Sequence, residues 1–267
     1  MSGPVPGSVP GPGGGPSPAP EAAPGRTLTL YDETIRHLQA LLAAHPARSL
    51  PCADTNWPEV TDKSMILRGD MAYELGSEGL PAIGCTIITA DPALVPEDGL
   101  SLIGPDLPKI TADVPFARVA LVRASAEAMG EGQALYNAVR GLEYTRYHVY
   151  PKGFMLRVSA ARRKETVRVS RAALADGLNF ARAGSRMIAA FHKNKAVEAV
   201  QLCYVTLPRA QFDYAALDRL AKEADEITKT IDHILKNAVM DCGACSLQKI
   251  CDEVEGLREL HFAGRKR

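Results

Sequence analysis

Three features of the sequence predict an α+β fold: a mixed sheet with packed helices, set between a disordered N-terminal tail and a C-terminal metal-binding segment. Apolar, β-branched runs and helical stripes follow one another without the strict βαβ repeat of a parallel α/β protein. Apolar residues make up 46% of the 267, enough for a proper core. Residues 1–26 are almost wholly Pro, Gly, Ser and Ala, and such a stretch cannot bury enough apolar surface to offset its ordering entropy. The expected organisation is a disordered tail over 1–26, a helix and loop over 27–64, an α+β domain over 65–239 and a cysteine-motif segment over 240–267.

The elements follow in order. Ile35, Leu38, Leu41 and Leu42 recur at helical spacing, which predicts a helix over 30–45 with Asp32 as N-cap and Pro46 as its stop. Residues 49–63 are turn-rich and hold Cys52 and the only tryptophan, Trp57, which predicts a loop. Residues 70–76 alternate as a strand does, and 83–89 are β-branched and apolar enough for a second. A bend is expected over 101–108, a strand over 116–123 and a helix over 131–147. Strands follow at 153–159 and 166–170. Ser170 is placed to cap one long helix over 171–195, in which Gly177 and Gly184 mark close approach by another element. A strand over 197–206 precedes a last helix over 214–239, striped by Leu217, Leu220, Ala224, Ile227 and Ile231.

Composition excludes several classes of function. Thirty-one basic residues balance 31 acidic ones, so global charge argues for neither nucleic acid nor an anionic membrane as partner. No apolar run approaches the roughly 20 residues of a membrane span, and the N-terminus lacks the pattern of a secretory signal. A cytoplasmic protein with reduced thiols is the expectation, which favours metal binding or burial over disulfides.

The last helix leads into Asp241-Cys242-Gly243-Ala244-Cys245, with Cys251 six residues on. A C-x2-C pair places two soft thiolates on one metal through a tight turn. Cys242, Cys245 and Cys251 are three ligands where an iron–sulfur cluster or a structural zinc takes four. Cys52, Cys85, His261, a partner's residue or an exogenous ligand could be the fourth. A zinc knuckle completed by His261, or three thiols without metal, are the competing readings. Cys85 and Cys203 sit in apolar strands and suit core packing. A second feature is basic: Arg157, Arg162, Arg163, Lys164, Arg168 and Arg171 fall within fifteen residues. Guanidinium groups fit phosphate through their fork of donors, while a solvated hairpin turn explains Arg162, Arg163 and Lys164 equally well.

Three strings carry a resemblance: Asp70-Met71-Ala72-Tyr73-Glu74-Leu75-Gly76, Ile103-Gly104-Pro105-Asp106-Leu107 and Val167-Arg168-Val169-Ser170-Arg171. Their order resembles the middle domain of the acetyl-CoA synthase catalytic subunit family of the carbon monoxide dehydrogenase/acetyl-CoA synthase complex, over roughly residues 65–239. In that family a long helix similarly leads to a C-x2-C that opens a cluster domain with a [4Fe–4S] cubane, and a later Cys-Gly-Cys carries nickel. The resemblance implies a [4Fe–4S] cluster on Cys242, Cys245, Cys251 and a fourth group, and coenzyme A phosphates on the arginines. This chain has no Cys-x-Cys, so nickel is not expected.

The function expected is that of an iron–sulfur protein, a subunit or accessory factor in anaerobic one-carbon, acyl-CoA or redox metabolism, working in a multisubunit complex or as a homo-oligomer. The alternative is a non-catalytic docking module whose C-terminal segment is pinned by a structural metal.

Overall fold

The computed structural model describes residues 27–60, 65–159 and 164–235. The fold is α+β, with two sheets and six α-helices among the described residues. The large sheet has five strands: β1 (Arg48–Leu50), β3 (Ala82–Thr89), β4 (Gly99–Ile103), β5 (Phe116–Ala124) and β8 (Val197–Val205), in the spatial order β1-β4-β8-β5-β3. It is mixed: β3 runs parallel to β5 and β4 to β8, while β5–β8 and β1–β4 are antiparallel. The small sheet is antiparallel, β2 (Met71–Leu75), β7 (Glu165–Ser170) and β6 (Phe154–Val158) in the order β2-β7-β6.

Register decides which side chains face which layer. Arg118 of β5 lies opposite Gly84 of β3 and Tyr204 of β8, so these three share the face turned toward the small sheet. Phe116, Phe154, Phe180 and Tyr204 join on that face into one aromatic cluster with ring centroids 4.6–6.4 Å apart. One residue along, Cys85, Val119, Cys203 and Ser101 form a row on the opposite face. There, helix α1 (Asp32–Ala43) and the long helix α6 (Tyr214–Leu235) pack on each other, and α6 packs on β3.

The structure revises several expectations. Asp32 is not an N-cap; its buried carboxylate accepts a hydrogen bond from Thr89 Oγ1 at 2.8 Å and ties α1 to the end of β3. The expected bend over 101–108 begins as strand β4, because Leu100, Leu102 and Ile103 are buried between β8 and β1. The turn-rich stretch after residue 48 opens with β1, so α1 and β1 belong to the same core as the rest. Helix α3 (Gly132–Tyr144) ends in a 3-10 turn, Thr145–His148. The one long helix over 171–195 is two. Ser170 does cap the first, α4 (Arg171–Ala175), but Gly177 takes φ of 97° and breaks the chain before Asn179 caps α5 (Phe180–Phe191). Gly184 marks a close approach as expected: a Cβ there would sit 2.6 Å from the Leu100 methyl groups of β4.

Candidate functional site

The most concentrated chemistry among the described residues lies at β3, an edge strand of the large sheet. Arg118, near the start of the largely apolar β5, is wholly buried and forks onto Glu165 of β7, with Nε–Oε2 2.8 Å and Nη2–Oε1 2.7 Å. Its Nη1 also donates to the Cys85 carbonyl and to Thr86 Oγ1 on β3. Arg146, from the 3-10 turn after α3, reaches the same Glu165 Oε1 at 3.0 Å. One carboxylate with no solvent exposure thus holds two guanidinium groups. Burial works against the charge on Arg118, but the adjoining carboxylate outweighs it and keeps the guanidinium firmly protonated.

Gly84 makes the arrangement possible. A Cβ at that position would lie 1.7 Å from the Glu165 carboxyl carbon, so the small sheet docks by passing its carboxylate over a backbone with no side chain. Beside this contact is a small cavity of about 30 Å³, lined by Gly84, Cys85, Arg140, Glu143, Arg146 and Asp225 among others. It has room for one or two water molecules with several polar partners each. Burial raises the Glu143 carboxyl above its ordinary range, and Arg140 and Arg146 pull it partly back. Glu143 also accepts from Thr228 Oγ1, which hydrogen-bonds Tyr31 OH at 2.9 Å. This polar chain locks α6 to α3 and to the 3-10 turn Leu28–Tyr31 that precedes α1.

The expected site residues divide sharply. Arg157 and Arg168 do come together, on the outer face of the small sheet, but Glu74 lies between them and accepts from Arg157 Nη1 at 3.2 Å and Arg168 Nε at 3.1 Å. Arg171 donates instead to the Met71 carbonyl. Arg162 and Arg163 lie outside the described residues, as do Cys242, Cys245, Cys251 and His261. Cys52 is half-buried in the loop after β1, at the sheet edge opposite β3. Cys85 and Cys203 are core residues. Burial pushes the Cys85 thiol up to about 12 and the Cys203 thiol up to about 11, so both are poor thiolate donors. They lie two strands apart with Val119 between them, roughly 10 Å, too far for a disulfide. Among the described residues no group of three or more His, Cys, Asp or Glu side chains is placed to hold a metal.

The three strings behind the family resemblance meet in space. β2 and β7 pair directly, and Tyr73 OH donates to the Leu107 carbonyl at 2.7 Å. Asp70 accepts from the Ala172 N–H at the start of α4, and Asp106 accepts from the Phe180 N–H at the start of α5. These residues build the framework of the small sheet and its joints. The buried cluster of Arg118, Glu165, Arg146 and Glu143 escaped the sequence reading. Its one signal is a charged Arg118 within the otherwise apolar run Phe-Ala-Arg-Val-Ala-Leu-Val, which demands a buried partner.

No protein-family model matches the chain, and no curated protein matches it. Among the described residues, no helix is long and apolar enough to cross a membrane.

Proposed function

We propose that the chain is an iron–sulfur protein related to the acetyl-CoA synthase catalytic subunit, acting as a subunit or accessory factor in acyl-CoA, one-carbon or redox metabolism. The observation that carries the reading is Cys242-x2-Cys245-x5-Cys251 lying directly downstream of the 22-residue helix α6. The helix that precedes the motif in sequence is itself anchored, because α6 is held by the Tyr31–Thr228–Glu143 chain and by Thr34 Oγ1 donating to Glu223 at 2.8 Å. The three thiolates would supply soft ligands, and the fourth position decides whether the group only carries electrons or also accepts a small ligand.

The described thiols narrow that choice. Cys85 and Cys203 are buried and protonated, which argues against either as fourth ligand and leaves Cys52, His261, a partner or an exogenous group. Coenzyme A phosphates find weaker support, since Glu74 already occupies the space between Arg157 and Arg168. Anaerobic purification with iron, sulfide, nickel and zinc analysis, followed by electron paramagnetic resonance of the reduced protein, tests the reading. The expected result is about four iron and four sulfide per chain, without nickel. Stoichiometric zinc without iron would instead establish the structural-metal alternative.

A further inference from the structure

Four oxygens meet where α6 packs on α3. Thr228 Oγ1 lies 2.9 Å from Tyr31 OH, 3.3 Å from Glu143 Oε1 and 3.2 Å from the carbonyl of Ala224, one turn back in its own helix. Each of these contacts needs a proton to be a hydrogen bond. Tyr31 and Thr228 carry one hydroxyl proton each, and burial keeps the Tyr31 phenol protonated. With Glu143 ionised, two protons must serve three contacts, and one contact stays empty. A third proton, on Glu143, fills them all. Tyr31 and Glu143 then donate to the two lone pairs of Thr228, which turns its own proton to Ala224.

The carboxyl group is oriented for this. Arg140 Nη1 donates to Oε2, which leaves Oε1 facing Thr228 as the oxygen that takes the proton. A hydroxyl on an ionised carboxylate closes to about 2.5–2.7 Å, whereas Thr228 stands at 3.3 Å. The surrounding groups oppose one another. Burial favours the proton most strongly, and Asp225 of α6, itself paired with Lys229 at 2.7 Å, adds to it. Arg140 on α3 and Arg146 on the 3-10 turn favour the ionised form. On the β3 side Cys85 brings no charge, because burial keeps its thiol protonated, and the Arg118–Glu165 pair lies next to it. The Glu143 side chain is 14% exposed and lines the small cavity with Arg140 and Asp225, which gives the proton a path to water.

We propose that Glu143 is a proton-operated latch on α6. Protonated at Oε1, it completes the hydrogen bonds that join α3, α6 and the 3-10 turn Leu28–Tyr31; deprotonated, it leaves one contact open and lets α6 detach locally. The inference stands apart from the iron–sulfur reading, because it uses neither the C-terminal cysteines nor a metal. The closed latch holds its proton more tightly than the open one. α6 is therefore held fully below the ordinary carboxyl range and opens more readily as pH rises through the Glu143 midpoint.

Two measurements on the full-length chain test it. Carboxyl carbon-13 NMR, with Glu143 identified by its loss in Glu143→Gln, should show this group titrating above the ordinary glutamate range. Amide hydrogen exchange around Thr228, corrected for its intrinsic pH dependence, should accelerate over the same window by up to about tenfold per pH unit, the limit for one linked proton. Glu143→Gln mimics the protonated latch, since its amide donates to Thr228 while its oxygen accepts from Arg140; its α6 exchange should stay slow and flat with pH. Thr228→Val removes the oxygen that all three contacts share, and exchange should become fast and nearly independent of pH. A Glu143 carboxyl that titrates in the ordinary range, or a pH dependence that survives Thr228→Val in full, overturns the proposal.

Discussion

The small sheet carries the same chemical unit on both of its faces. Inward, Glu165 holds Arg118 and Arg146; outward, Glu74 holds Arg157 and Arg168. The inner carboxylate and Arg118 have no solvent exposure, while the outer arginine side chains are 47% and 28% exposed. Distances differ little, 2.7–3.0 Å against 3.1–3.2 Å. The environment sets the consequence. In the dry interior each charge depends on its partner, and the triad fixes where the small sheet docks on β3. At the wet face water replaces any lost partner, and the triad contributes little.

The largest effect tests the inner triad. Glu165→Gln keeps the shape but leaves two guanidinium groups without their counter-charge, and a loss of about 3–5 kcal/mol is expected from urea unfolding. Gly84→Ala attacks the same contact from the other side by forcing a methyl group into the Glu165 carboxyl. Its cost should fall markedly when combined with Glu165→Ala, because that variant empties the space. Additive costs would show that the close approach does not hold the sheets together.

A smaller effect concerns pH. Burial raises the Glu143 carboxyl, so the folded chain binds that proton more tightly than the unfolded chain does. Stability from this group therefore grows as pH falls from neutral through the raised value, and levels off below the ordinary carboxyl range. Wild type should gain stability relative to Glu143→Gln over that window. A constant difference between the two would mean that Glu143 is hydrated. Asp70 runs the other way: hydrogen bonds from Ser170 and the Ala172 N–H lower it, and its contribution disappears as pH drops below the usual carboxylate range.

The smallest effect belongs to the outer face. Glu74→Gln should cost less than about 1 kcal/mol, and added salt should erase most of the difference. A loss comparable to that of Glu165→Gln would remove the contrast between the two faces.

How far the sequence could be read follows the range of the interactions involved. Strands β2, β3, β5, β6, β7 and β8 were legible because alternation and β-branching are local, and the α+β class followed from their arrangement with the helices. The N-cap at Ser170 was legible for the same reason. β4 was not, since its Gly99–Ile103 stretch resembles a bend until β8 and β1 bury it. The break at Gly177 was missed because a glycine within a helical pattern signals either close approach or termination, and only the surroundings choose.

The candidate site divides along the same line. The cysteine spacing at 242–251 and the run of arginines are properties of the chain alone, and they identify which residues are chemically able to bind a metal or a phosphate. Partnership is a property of the fold. Glu74 gained its arginine pair when β2, β7 and β6 aligned, whereas Glu165 gained its own only when the small sheet docked on β3 and brought it to Arg118 and Arg146. Sequence alone determined the class of fold, the elements with a strong period and the spacing of the C-terminal cysteines. Tertiary structure decided which charges were buried, which thiols were silenced and which apolar side chains were left facing solvent, because desolvation depends on neighbours that are remote along the chain.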